Sequence, residues 1–394
     1  MPVPASAYAT TGGAPAVIFS SEAAFAPRLD EPMSADDQTS PPATRRGIVG
    51  RVFADRYRVT RVVSAGASTV ITDADDLQLG RAVTMKFVRP EWSESAEFRR
   101  RFDKAMQVMS TLSHPNIAAV HDWGEEEIGH RPTVYAVVER LDGSSLRDLF
   151  DRGRLLDPSQ ALMIGLDACR ALDVAHRHRL VHTQITPSKL VFGDDRRLRI
   201  VDFGLARLVG ARDWRHPSNL ATHTARYASP EQAGAQPVDA KTDVYSLALV
   251  LVEAVTGEVP FAAGSTVATL DARVGRLMPV SADLGPLAAV LERAGRPEPA
   301  DRSTAAELGR GLVRVAETLP RPAPIPLLVS NRLEEDPSTL RRPNDPTGGV
   351  RRPEESPATA ILPPPTAQAD DDDLDDLADP AGPDDDPGPP PGGA

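Results

Sequence analysis

Residues 180–207, LVHTQITPSKLVFGDDRRLRIVDFGLAR, constrain this chain more than any other stretch. Two short runs with strand character, 189–192 and 197–201, flank the turn Gly193-Asp194-Asp195. Glycine and aspartate between apolar runs are turn residues, glycine for its freedom in φ and aspartate for its local hydrogen bonds. His182-Thr183-Gln184 stands just before the first run, and Asp202-Phe203-Gly204 just after the second. The chain is organised around this order of polar triplet, strand, turn, strand and acidic triplet.

Residues 1–50 are rich in Ala, Pro, Ser and Thr and poor in large apolar side chains, so they bury too little surface to offset their ordering entropy and are expected to be disordered. From Tyr57 the texture changes. The pattern predicts strands around 57–63, 69–71 and 82–88, then a helix over 95–112 from Phe98, Phe102, Met106, Met109 and Leu112. Strands over 118–123 and 133–138 follow, then helices over 145–151, Pro158–Arg177 and from Asp239 onward. Near Leu319-Pro320 the fold is expected to stop. Residues 320–394 are rich in Pro, Asp and Gly, and their aspartate runs at 370–373, 375–376 and 384–386 repel one another and resist collapse.

Much of the formal net charge of −12 comes from that acidic tail. Elsewhere both signs are mixed, and no nucleic-acid footprint stands out. The single cysteine, Cys169, lies in an apolar helical pattern, which excludes a disulfide framework or thiolate metal site and fits a reducing cytosol. The chain does not open on a basic segment followed by a long apolar run, and its longest apolar stretch, 244–255, is too short to span a bilayer. A cytoplasmic location with no direct membrane span is expected.

In this order the motifs resemble the eukaryotic-type (Hanks-like) bacterial Ser/Thr protein kinases, in a degenerate, pseudokinase form. The family carries H-R-D-x-x-x-x-N followed by D-F-G, matched in frame by residues 182–189 and 202–204. Val83-Thr84-Met85-Lys86 is similar to the V-A-I-K strand, and His114-Pro115-Asn116-Ile117 to the turn after helix αC. Ser229-Pro230-Glu231 is similar to A-P-E, and the phrase SPEQA recurs in actinobacterial-looking members. The resemblance covers about 57–319. It implies an α+β bilobal fold with a β-rich N-lobe over 57–139 and a helical C-lobe over 140–319. It further implies a vestigial nucleotide site at Lys86, Asp202 and the hinge residues Glu139 and Leu141. Met109, His182 and Phe203 would stack as a regulatory spine, and Asp243 would hold the catalytic loop through backbone amides. Glu231 would pair with Arg302, an ion pair costly to break from one side.

The departures fall where the chemistry is. Gln184 replaces the Asp that accepts the substrate proton, and Lys189 replaces the Asn that holds the second magnesium. An amide has no useful basicity near neutral pH, and an ammonium repels a cation. Thr186 and Thr183 replace a phosphate-steadying Lys and the Arg that reads a phosphorylated activation loop. Nine residues before His114, Ala105 stands where the αC Glu is expected. Counting back from Lys86 puts Val63, Ala65 and Ser68 at the glycine positions of the phosphate loop, with Gly66 at a variable one, and Thr84 in the adenine slot. Loss of a general base alone costs ~10²–10⁴ in rate. Gln184, Thr186 and Lys189 are therefore expected to be catalytically silent, with metal held weakly, if at all, by Asp202. No cofactor is required, and ATP with a divalent metal binds weakly or not at all. Asp202 is expected to pair with Lys86, Lys189 or both. His176, His178 and His182 lie close in sequence but are expected to pack at a helix end rather than bind metal.

The function this implies is a pseudokinase, a regulatory or scaffold protein in Ser/Thr kinase signalling that docks an active Ser/Thr protein kinase. One alternative is a weak or atypical ATP-dependent Ser/Thr protein kinase with Asp202 as its only metal ligand. A second is another nucleotide-dependent transferase on the kinase frame. In the tail, Thr359 follows Glu354-Glu355 and has Leu362 at +3. This is similar to substrates of bacterial Ser/Thr kinases whose phosphothreonines are read by forkhead-associated (FHA) domain proteins through charge-assisted contacts.

Overall fold

The computed structural model describes residues 47–66, 68–205, 208 and 222–327. The expected disorder of the N-terminal segment up to residue 46 and of the tail beyond 327, together with Thr359, lies outside the described residues.

Strands β1 (Val52–Phe53), β2 (Tyr57–Ala65), β3 (Thr69–Asp76) and β4 (Arg81–Val88) form consecutive antiparallel pairs. With β5 (Val120–Ile128) and β6 (Arg131–Glu139) they make a sheet of order β1-β2-β3-β4-β6-β5. Alternation along β4 explains its two faces. Val83, Met85 and Phe87 turn into a core with Phe53, Tyr57 and Tyr135, while Thr84 and Lys86 share the opposite face. Phe53 and Tyr135 meet edge to face at a ring separation of 5.7 Å, an arrangement aromatic quadrupoles favour. Two helices, α1 (Pro90–Ser93) and α2 (Ala96–Ser110), lie between β4 and β5. Ser95 caps α2 by accepting from Phe98 N, and the 3.6-residue period buries Phe98, Phe102, Met106 and Met109.

Among the described residues, the second lobe holds α3 (Leu146–Asp151), α4 (Pro158–Arg177), the short hairpin β7 (Leu190–Phe192) and β8 (Leu198–Ile200), and six further α-helices. These are α5 (Thr222–Ala225), α6 (Pro230–Ala233), α7 (Ala240–Thr256), α8 (Thr266–Asp271), α9 (Ala288–Ala294) and α10 (Ala305–Ala316). Helix α4 begins where the sequence predicts because Asp157 and Gln160 form a reciprocal capping box around Pro158. Helix α7 buries residues on every side, the pattern of a fully buried helix, and α4, α9 and α10 pack against it. The lobes join at Gly143, where a Cβ would lie 2.3 Å from the Phe192 carbonyl oxygen. Only glycine lets the hinge run that close to β7.

Both expected boundaries move outward. The sheet starts before Tyr57, since β1 pairs with β2 and Ile48 is buried in the same core. At the other end, 320–327 stay against the domain, with Ile325 and Leu327 packed on the main core. The expected solvated tail rests on Pro, Asp and Gly richness and aspartate repulsion, but the aspartate runs begin at 370, and the prolines at 320–326 serve to hold a docked segment. The strand expected at 118–123 starts at Val120 and runs on to Ile128.

Candidate functional site

The hairpin β7–β8 carries the site, with the polar triplets at its outer ends as the sequence order requires. Two residues there adopt left-handed backbone, Thr183 at φ 68° and Asp202 at φ 69°. For a β-branched residue such as Thr183 this is a strained conformation, costing on the order of 1–3 kcal/mol, which persists only where its surroundings enforce it. Asp243, fully buried at the start of α7, does so. Its Oδ1 accepts from Thr183 N at 2.7 Å, and its Oδ2 from His182 N and His176 Nε2, both at 2.8 Å. Gln232 Nε2 donates to the Thr183 carbonyl at 2.8 Å and closes the loop from the other side.

His182 is buried, and burial holds its pKa below the ordinary value, so the ring is neutral. With Nε2 facing the Val201 carbonyl at 2.8 Å and Nδ1 facing Gln184 N at 3.2 Å, the proton sits on Nε2. Its ring meets Phe203 edge-on at 4.8 Å, and Phe203 shares a cavity wall with Met109. His178 bonds the Val174 carbonyl through Nδ1, so the three histidines have three separate partners. Among the described residues, no group of three His, Cys, Asp or Glu side chains is placed to hold a metal ion.

The centre of the site is an ion triad. Lys86 Nζ donates to Asp202 Oδ1, and Lys189 Nζ donates to Asp202 Oδ2. The lysines lie 116 and 13 residues away in sequence. Burial alone would raise the Asp202 pKa, but the charges of Lys189 and Lys86 and their hydrogen bonds hold it well below the usual carboxylate range. The triad carries one negative and two positive charges. No carboxylate comes from α2, where Ala105 is buried against the Gly204 turn. What remains of the cavity behind Lys86 measures about 20 Å³, walled by Met106, Met109, Val120, Val138 and Phe203, room for roughly one water. These residues do not fit a divalent cation. The Asp202 carboxylate is engaged on both oxygens by ammonium groups, and Lys189 adds positive charge at the second ligand position.

The remaining expected site residues are spread around this triad. Glu139 accepts from Ala119 N at 3.2 Å and pairs with Arg199 Nε on β8 at 2.8 Å, so its carboxylate braces the back of the hinge. Leu141 is buried beside it. Thr186 Oγ1 bonds Ser188 Oγ at 2.9 Å. Glu231 and Arg302 form a two-pronged pair, both contacts 2.7 Å, and Thr242 Oγ1 donates to Glu231 at 2.6 Å.

The strand register corrects the reading of the phosphate loop. Ile71 pairs with Lys86 and shares its face, whereas Val70 pairs with Phe87 and enters the upper core. Matching the valine of G-x-G-x-x-G-x-V to Ile71 moves the pattern by one residue. The glycine positions are then Ser64, Gly66 and Thr69 rather than Val63, Ala65 and Ser68, and the middle glycine is kept. A strand of alternating small and apolar residues looks the same after a one-residue slip until its partner is known.

Sequence reasoning missed Arg273. Its side chain is fully buried and donates to the carbonyls of Ala225 and Ala228 through Nη1 and of Arg226 through Nη2. Burial lowers its pKa. In sequence it reads as one more arginine in DARVGR, with no local mark of its role. The same loop is held from the other side by Tyr227, whose hydroxyl donates to Glu253 at 2.5 Å, and Arg147 pairs with that carboxylate at 2.6 Å.

The sequence profile of the protein kinase domain family matches residues 57–308. The chain is similar to the serine/threonine-protein kinase PknB of Mycobacterium leprae, 35% identical over 289 residues, covering 71% of this chain and 46% of the relative. It is also similar to PknB of Mycolicibacterium smegmatis, 37% identical over 273 residues, covering 67% and 44%. The chain thus spans less than half the length of these curated relatives. Among solved structures, the Mycobacterium tuberculosis PknI kinase domain superposes with a TM-score of 0.54 at 26% identity, covering 68% of this chain and 98% of that one. Among the described residues, no helix is long and apolar enough to cross a membrane.

Proposed function

The chain belongs to the protein kinase domain family, and from that premise we propose that it is a pseudokinase, a kinase-fold regulatory or scaffold protein in Ser/Thr kinase signalling. It binds a partner rather than transferring phosphate. The observation that carries this reading is Asp202 held by Lys86 and Lys189 together, an ammonium standing where a magnesium ion would be needed. Gln184 in place of a general base, Ala105 in place of a carboxylate partner for Lys86 and the small cavity beside Lys86 support it. On this reading no nucleotide or metal is required. The partner is an active Ser/Thr protein kinase that modifies Thr359, and an FHA-domain protein reads the product.

A second reading, a weak or atypical ATP-dependent Ser/Thr protein kinase, is favoured by a different observation. The frame is kept in working order: Lys86 sits beside Asp202, His182 meets Phe203 edge-on, and Asp243 holds the loop. The curated relatives are themselves named serine/threonine-protein kinases.

Thermal shift of the full chain with ATP and Mg²⁺ or Mn²⁺, paired with a labelled-phosphate transfer assay, separates the two. A ligand at 100 times its Kd stabilises a protein by about 2.7 kcal/mol. The pseudokinase reading expects no such shift with metal–ATP and no transfer. A shift of several degrees accompanied by transfer overturns it in favour of the second reading.

A further inference from the structure

Past α10 the chain runs Leu319-Pro320-Arg321-Pro322-Ala323-Pro324-Ile325-Pro326-Leu327, with a proline at every second position. Proline fixes φ and has no N–H, so the segment is held extended up to Ile325, where Leu327 N turns back to donate to the Ile325 carbonyl at 2.8 Å; it offers carbonyls with few donors and is unsuited to a sheet interior. The domain meets it with side-chain donors. Gln160 Nε2 donates to the carbonyls of Ala323 at 3.2 Å and Pro324 at 3.4 Å, and Arg196 Nη2 donates to that of Ile325 at 2.7 Å. Ile325 and Leu327, two residues apart, pack on the edge of the main core, while Pro326 between them is exposed.

Both anchors belong to elements that matter elsewhere. Gln160 is fixed by the cap of α4, where its Oε1 accepts from Asp157 N at 3.1 Å. Arg196 stands in the β7–β8 turn, next to Asp195, which grips Arg199 through both carboxylate oxygens. Arg199 in turn reaches Glu139 at the end of β6. The same hairpin carries Lys189 at one outer end and Asp202 at the other, joined by Val201 N donating to the Lys189 carbonyl at 3.0 Å.

We propose that residues 321–327 are a docked peptide, seated in a groove between the N-terminus of α4 and the β7–β8 turn, and that this docking braces the hairpin carrying Lys189 and Asp202. The groove takes an extended segment in which proline alternates with apolar residues, and this chain supplies its own. The strap lies beyond the span matched by the kinase-domain profile. The inference does not depend on whether the cleft turns over nucleotide.

Hydrogen exchange of the full chain tests it. One variant combines Gln160→Ala with Arg196→Gly, glycine being chosen because residue 196 has φ 60°. A second, Ile325→Asp, alters the strap alone. Both are expected to speed exchange of the β7 and β8 amides several-fold while α7 stays at the wild-type rate. Arg197→Ala, in the same turn but without a strap contact, leaves the hairpin unchanged. Excess synthetic peptide spanning 319–328 is expected to restore protection to Ile325→Asp. Wild-type exchange in both strap variants overturns the proposal. So does equal acceleration by Arg197→Ala, and so does failure of the peptide to rescue.

Discussion

Replacing Asp202 with Asn perturbs the ion triad and little else. Asn keeps the shape of the side chain and tolerates left-handed backbone, so the φ of 69° at this position adds no new strain. It leaves two ammonium groups facing a neutral amide. The Lys86 side chain is 9% exposed and that of Lys189 29%. Removing one partner of a buried ion pair costs about 3–5 kcal/mol, because the remaining charge stays buried without compensation. Removing Lys189 instead leaves the Lys86–Asp202 pair electrically neutral, and its own partly wet contact is worth about 0–1 kcal/mol. Asp202→Asn is therefore expected to lower Tm by about 6–15 °C and Lys189→Met by no more than about 3 °C. The pH dependence has a definite sign. The Asp202 carboxyl is held below its usual range, so its contribution is complete above the unfolded-state pKa, about 4, and is lost as pH falls through the lower folded value. The gap between wild type and Asp202→Asn should hold constant near neutrality and begin to close only below about pH 4. Thermal melts of the three proteins from about pH 3 to 8 provide the measurement. If Asp202→Asn melts within about 1 °C of wild type, or Lys189→Met costs as much as Asp202→Asn, the triad does not hold the cleft.

Glu231→Gln should cost about 3–5 kcal/mol in urea unfolding, since it strands the buried Arg302 guanidinium; a loss below about 1 kcal/mol would show that the carbonyls around Arg302 suffice. Gln184→Asp alone should yield no phosphate transfer, because Lys189 still repels metal and Ala105 still leaves the triad with excess positive charge; measurable turnover by this single variant would show that the cleft still admits metal-bound nucleotide. Incubation with an active Ser/Thr kinase from the same cell, followed by mass spectrometry, should place phosphate on Thr359; a map with none between residues 337 and 366 removes the proposed FHA contact.

Much of the fold was legible because its signals are local. Caps act over three residues, so Ser95 and the Asp157–Gln160 box mark the starts of their helices in the bare chain. The mostly apolar run at 244–255 marks a buried helix. The replaced motif positions are legible in the same way, since Gln184, Thr186 and Lys189 are identities at fixed spacing from His182. The phosphate loop shows the limit: with no strand partner in view, the count fell one residue short, and only the Ile71–Lys86 pairing corrected it.

Tertiary structure alone decided which charges meet and which are buried. The sequence left Asp202 a choice of lysine; the folded cleft gives it both, one from β4 and one from the loop before β7. Arg273 and the strap at 320–327 carry no local mark, because an exposed arginine and a proline-rich linker look the same in sequence as a buried clamp and a docked peptide. The cost of burying a charge, and the gain from docking an extended strand, depend on what closes over them. That is set by elements tens to more than a hundred residues away, and no local pattern records it.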